Sequence, residues 1–109
     1  MTDNDITRLI AETVMGYRWA DGTEDPPLEY QAGDVNRGNF DPLKYTEDAF
    51  EVVDKMVEDG WRFNLLRTDR KTWEVDLFVH SDKRNVCVED PSRCKAICLA
   101  ALRAVGVEV

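Results

Sequence analysis

Histidine, basic residues in the first half and long apolar runs are what this 109-residue chain has least of. Its one histidine, His80, is the only side chain whose unperturbed pKa lies near neutrality. A Cys–His hydrolase would need a nucleophile beside that base and a third group to orient it. Cys87, across a turn from His80, is the one thiol near enough in sequence. Neither a nucleophile elbow nor a phosphate-cradling glycine loop accompanies the pair. His80 therefore reads as a strand-end residue on the solvent face. No catalytic residue and no cofactor are expected, so the chain is not expected to be an enzyme. No apolar run approaches the roughly 20 residues of a membrane span, and the first residues lack the basic-then-apolar pattern of a secretory signal. Cys87, Cys94 and Cys98 are odd in number, which without an export signal suggests reduced thiols in a cytosol. Cys94 and Cys98 sit four apart on one helix face, and with Cys87 and His80 they offer a zinc-type donor set. Cys98, however, lies inside an Ile-Cys-Leu-Ala-Ala run, where cysteine serves as a small buried hydrophobe. No metal is expected.

What is abundant is acid, unevenly placed. Residues 1–60 hold fifteen Asp/Glu and five Lys/Arg, whereas residues 61–109 hold seven and nine, within a formal net charge of −8. An acidic half adds repulsion where binding to a phosphate backbone normally gains from counterion release, so direct nucleic-acid binding is not expected. Such a half suits a basic protein surface, or simply keeps a small protein soluble.

The hydrophobic pattern organises one domain over 1–109. Ile6, Leu9, Ile10 and Val14 fall at helical spacing over about 3–15, with Asp3 as a cap and Gly16 as a stop. From Ala20 to Tyr45 no period is sustained, and Pro26-Pro27, Gly22, Gly33, Gly38 and Asp41-Pro42 predict a long irregular loop, with a short strand at Leu28–Gln31. A second helix is predicted over about 47–59, capped by Thr46 and stopped by Gly60. It would bury Ala49, Phe50, Val53, Met56 and Val57, with Glu47, Asp48, Glu51, Asp54, Glu58 and Asp59 on its wet face. The period then falls to two. Trp61, Phe63 and Leu65, then Trp73, Val75, Leu77 and Val79, then a short strand over Asn85–Glu89, predict an antiparallel meander with one apolar face. A last helix follows, with Asp90 as cap, Pro91 in the first helical position and Gly106 as stop. It would turn Cys94, Ile97, Cys98, Ala101, Leu102 and Val105 inward. The predicted fold class is α+β, a layered sandwich in the order α, long loop, α, β, β, β, α.

From the second helix onward this order is that of double-stranded RNA-binding domains, which place a basic cluster at the start of their last helix. Here that position offers Arg93 and Lys95 behind Glu89 and Asp90. The topology matches and the charge does not. A second resemblance lies in the residues themselves. Ile10-Ala-Glu-Thr-Val-Met-Gly-Tyr-Arg-Trp19, Ala49-Phe-Glu-Val-Val-Asp-Lys-Met56 and Ala96-Ile-Cys-Leu-Ala-Ala-Leu-Arg-Ala-Val-Gly106 resemble the phage ABA sandwich family. The resemblance implies a phage origin, hence the cytoplasm of a host bacterial cell, and helices packed on a sheet. It brings no catalytic residue set, because every matching piece is a packing motif. The chain departs from the family pattern over residues 20–45 and at Asp41–Thr46.

Three functions are compatible with these observations. The first is a non-enzymatic binder of a host defence protein, such as a CRISPR complex, inhibiting it through an acidic surface. Its candidate residues are Asp21, Glu24, Asp25, Glu29 and Asp34, with Trp19 and Tyr30 as an aromatic wall. The second is a protein that sequesters a nucleotide signal, as a homo-oligomer, with Arg67, Arg70 and Lys71 contacting phosphate. The third is an accessory phage structural protein. The charge distribution favours the first.

Overall fold

The structure, a computed structural model, describes residues 2–19, 30–32, 35–79 and 84–107. Helix α1 (Asp3–Leu9) opens with a capping box, in which the Thr2 hydroxyl accepts from the Asp5 amide and the Asp5 carboxylate accepts from the Thr2 amide. Thr2, not Asp3, is the cap. The helix continues as a π-helical segment, Ile10–Met15, that ends at Gly16 in the left-handed conformation. The Thr13 hydroxyl donates to the Leu9 carbonyl at 2.5 Å, entering the backbone ladder where it widens.

The stretch expected to be irregular apart from a short strand at Leu28–Gln31 holds two strands, the first of which includes Tyr30 and Gln31. Strand β1 (Arg18–Trp19) pairs antiparallel with β2 (Tyr30–Ala32), and β2 with β3 (Val35–Gly38), in a small three-stranded sheet. The excursion is pinned at its base. Tyr17 meets buried Phe40 edge-on, with ring centroids 5.3 Å apart.

Helix α2 (Thr46–Glu58) starts one residue earlier than expected: Tyr45 is the N-cap, it makes no side-chain cap bond, and Thr46 is already helical. Strands β4 (Arg62–Arg67), β5 (Trp73–Val79) and β6 (Arg84–Asp90) form the main antiparallel sheet in sequence order, and α3 (Arg93–Ala104) closes the fold. The cap of α3 is Ser92, which accepts from Lys95, while Asp90 accepts from the Ser92 amide and Pro91 stays outside the helix. Both later helices stop as expected. At Gly60 (φ 102°) and Gly106 (φ 91°) paired reverse bonds close the last turn, Gly60 to Val57 with Trp61 to Met56, and Gly106 to Arg103 with Val107 to Leu102.

Pairing sets the faces of the main sheet. Phe63–Leu77–Val86 and Leu65–Val75–Val88 are cross-strand rows on the face that α2 and α3 cover. On the other face, Arg62–Phe78–Asn85, Asn64–Asp76–Cys87 and Leu66–Glu74–Glu89 point away from those helices, and Leu66 is 51% exposed. Helix α1 and its π-helical continuation pack on α2 and α3. The layers are therefore sheet, helix pair, helix, an α+β sandwich. Two expected stripes are rotated. In α2, Val52 is buried and Val57 is exposed, and Asp48 is buried because its carboxylate accepts the Asp41 amide at 2.9 Å. In α3, Ala96 and Ala100 are buried while Val105 is 43% exposed. No helix among the described residues is long and apolar enough to cross a membrane.

Leu102 is fully buried, so Leu102→Ala should lower the unfolding free energy by about 2–5 kcal/mol in urea titration. Val105→Ala should change it by less than about 0.5 kcal/mol.

Candidate functional site

Three groups of chemistry-bearing side chains lie on the described surface. The first surrounds the β4–β5 turn. Thr68 and Thr72 close a three-residue loop: the Thr68 amide donates to the Thr72 carbonyl at 3.0 Å, and the Lys71 amide donates to the Thr68 carbonyl at 3.3 Å. Lys71 completes the loop at φ 62°, the left-handed position that such loops require. The Arg70 guanidinium makes a two-pronged bond to Glu89, at 2.9 and 2.8 Å, and the Thr72 hydroxyl also donates to Glu89. These bonds hold the Glu89 carboxyl below the usual range. Arg67 stands apart from this clamp. Its guanidinium lies 5.1 Å from the Trp73 ring centroid, and that of Arg93, at the start of α3, lies 5.5 Å from the same centroid. Arg93 also donates to the Thr46 hydroxyl at 3.1 Å, tying the starts of α2 and α3 together. Of the expected phosphate contacts, then, Arg67 joins an aromatic cluster, Arg70 is bound to a carboxylate and Lys71 shapes the turn.

The second group lies on the outer face of the main sheet. Asp76 and Cys87 are cross-strand partners, and Glu74 is two residues along β5. One donor atom from each of the three lies within 4.8 Å of the others, the spacing of a divalent-cation site, with two carboxylates and a thiol. The Cys87 thiol is pushed up to about 12, first by its hydrogen bond with Asp76 and then by burial and the nearby carboxylate charges. Cys94 and Cys98 are buried on α3, against the opposite face, and burial pushes the Cys98 thiol up strongly. The sheet thus separates Cys87 from the other two, so the three thiols do not share one ion.

The third group is the solvent side of α2. Glu47, Asp54 and Glu58 are exposed and Glu51 is half-buried, at successive spacings of four, three and four residues, which is one helical stripe. Lys55 pairs with Asp59 at 3.3 Å. These acids were expected only as a wet face, and the expected partner-binding residues fall elsewhere. The β1–β2 register sets Trp19 opposite Tyr30. Asp21, Glu24, Asp25, Glu29, Asp34 and His80 lie outside the described residues. Arg93 and Trp73 are the site residues that sequence reasoning did not group. Arg93 was noticed only as a sparse basic position, and Trp73 only as core.

The phage ABA sandwich domain family matches residues 8–102, and the chain belongs to that family. No curated protein and no solved structure matches it.

Two measurements check this chemistry. Because Cys87 keeps its proton at neutral pH, exposed as it is, iodoacetamide should label it at pH 8 at least about tenfold more slowly than an ordinary cysteine. Asp76→Asn removes the largest cause and should raise the rate toward the ordinary one, read by peptide mapping. For Glu89 the sign is that of a lowered carboxyl. Its contribution is complete above the usual value near 4.5 and is lost as the pH falls below it. The Tm difference between the parent and Glu89→Gln should therefore be constant at neutral pH and shrink as the solution is acidified.

Proposed function

We propose that this member of the phage ABA sandwich family is a non-enzymatic binding protein that sets an acidic surface against a basic protein partner. We take the partner to be a host antiviral component such as a CRISPR complex, whose nucleic-acid groove an acidic surface would occupy. The observation that carries the reading is that acid runs the whole length of α2. Acids in the first turn of a helix are favoured by its dipole, and Glu47 and Asp48 need no other reason to be there. Glu58 is different. It sits at the C-terminal end, where the dipole opposes a negative charge, and four residues after Asp54, where like charges repel. The fold gains nothing from this arrangement, whereas a basic partner would neutralise it. The non-enzymatic part of the reading rests on the thiols: Cys87 holds its proton against Asp76, and Cys94 and Cys98 are buried.

The test separates folding from binding. Glu58→Lys should raise Tm on the order of a few degrees, because it reverses both unfavourable terms. The same change, combined with Asp54→Lys, should weaken capture of the partner from bacterial lysate by about tenfold at low salt. Capture that is indifferent to salt and to both substitutions would remove the acidic surface from the explanation.

A further inference from the structure

In a chain with 22 acids and 14 Lys/Arg, arginines ordinarily find carboxylates. Two do not. Among the described residues no ion pair joins Arg67 or Arg93 to an acid; both guanidiniums are held by the Trp73 ring, at 5.1 and 5.5 Å from its centroid. The nearby acids are committed elsewhere. Asp90, the cross-strand partner of Trp73, accepts the Ser92 amide at 2.8 Å, Asp48 accepts the Asp41 amide at 2.9 Å, and Glu89 is gripped by Arg70. Cation–π attraction to a ring uses none of the N–H donors of a guanidinium, and it is these donors, in pairs, that grip a phosphoryl oxygen pair.

Three elements fix this arrangement. Arg67 and Trp73 are partners in the β4–β5 register, and the Arg93 bond to the Thr46 hydroxyl sets the second guanidinium over the first residue of α2. That helix begins at Thr46 without a side-chain cap. Two guanidiniums thus lie within 5.5 Å of the centroid of one ring, and one of them is bonded to the first residue of α2.

We propose that Arg67, Arg93 and Trp73, at the start of α2, form a binding site for the phosphoryl group of a compact ligand, a diphosphate or a nucleotide. A long phosphate backbone does not fit the same surface. The acidic stripe of α2 begins at Glu47, one residue beyond Thr46, and the net charge of −8 repels a polyanion as a whole. A ligand carrying one or two phosphoryl groups spans less of that surface than a backbone does and faces fewer of its acids. This site is separate from the acidic surface, and neither depends on the other.

Isothermal titration of the full chain with pyrophosphate, ADP and adenosine tests it. Pyrophosphate and ADP should each bind saturably, one per chain, and adenosine should not. Arg67→Gln and Arg93→Gln should each weaken ADP by about tenfold or more, the loss of one charge-assisted contact. Arg67 is exposed, so its variant keeps the fold and decides the matter should the Arg93 variant unfold, with circular dichroism as the check. Absence of binding by both phosphorylated probes at millimolar concentration would overturn the proposal. So would unchanged ADP affinity in a folded Arg67 variant. A short single-stranded oligonucleotide that binds more tightly than ADP would overturn it as well, since the site would then serve a backbone.

Discussion

The fold depends on how closely α3 is approached from several sides at once. Cys94, Ala96, Ile97, Cys98, Ala100, Ala101 and Leu102 are all buried, a set that covers most of the helix circumference. Ala96, Ala100 and Ala101 are 0–1% exposed, and residues this small let helices and sheet come near. The sheet lies against one side, α2 beside it, and α1 with its π-helical continuation completes the shell. A helix enclosed in this way has little polar face along its middle, so its polar chemistry is confined to its ends. Arg93, in the first turn, is where α3 meets solvent, and it is also where α3 meets α2 through Thr46.

That enclosure explains which parts of the fold were legible in the sequence. The meander was readable because one buried face imposes a period of two over six or seven residues. The helix stops were readable because Gly60 and Gly106 adopt backbone angles that other residues resist. The face of α2 was not. Val52 and Val57 are both apolar and the stripe closes with either; the partner helix and sheet chose Val52. The π-helical turn was hidden for a related reason, since Ile6, Ile10 and Val14 at intervals of four accommodate a slightly wider helix. Strands of two to four residues, as in β1–β3, are too short to express any period. The caps at Thr2, Tyr45 and Ser92 each lie one or two residues from the expected position, within the range where helix ends slide.

The candidate sites divide along the same line. Asp54 and Glu58 were visible as wet-face acids, because helical spacing alone places them. The Arg67–Trp73–Arg93 cluster was not, because Arg93 and Thr46 are 47 residues apart and meet only when α2 and α3 pack side by side. Arg70 and Lys71 looked equivalent to Arg67 by charge and position. Only the structure shows that Glu89 on the neighbouring strand binds one and that the turn geometry uses the other.

One helix thus carries opposite electrostatic demands at its two ends. From Glu47 to Glu58 the α2 stripe runs eleven residues, about 16 Å at 1.5 Å per residue. The screening length at physiological salt is about 8 Å, half that distance. The charge of Arg93, bonded at the helix start beside the first-turn acids Glu47 and Asp48, is therefore largely screened by the time Glu58 is reached. Glu58 instead faces the negative end of the dipole and the carboxylate of Asp54 one turn back. The two ends are therefore electrostatically independent, one with Arg93 beside Glu47 and Asp48 and the other with Glu58 beside Asp54. It is the packing of α2 beside α3, which brings Arg93 to Thr46, that sets the two ends of the helix apart.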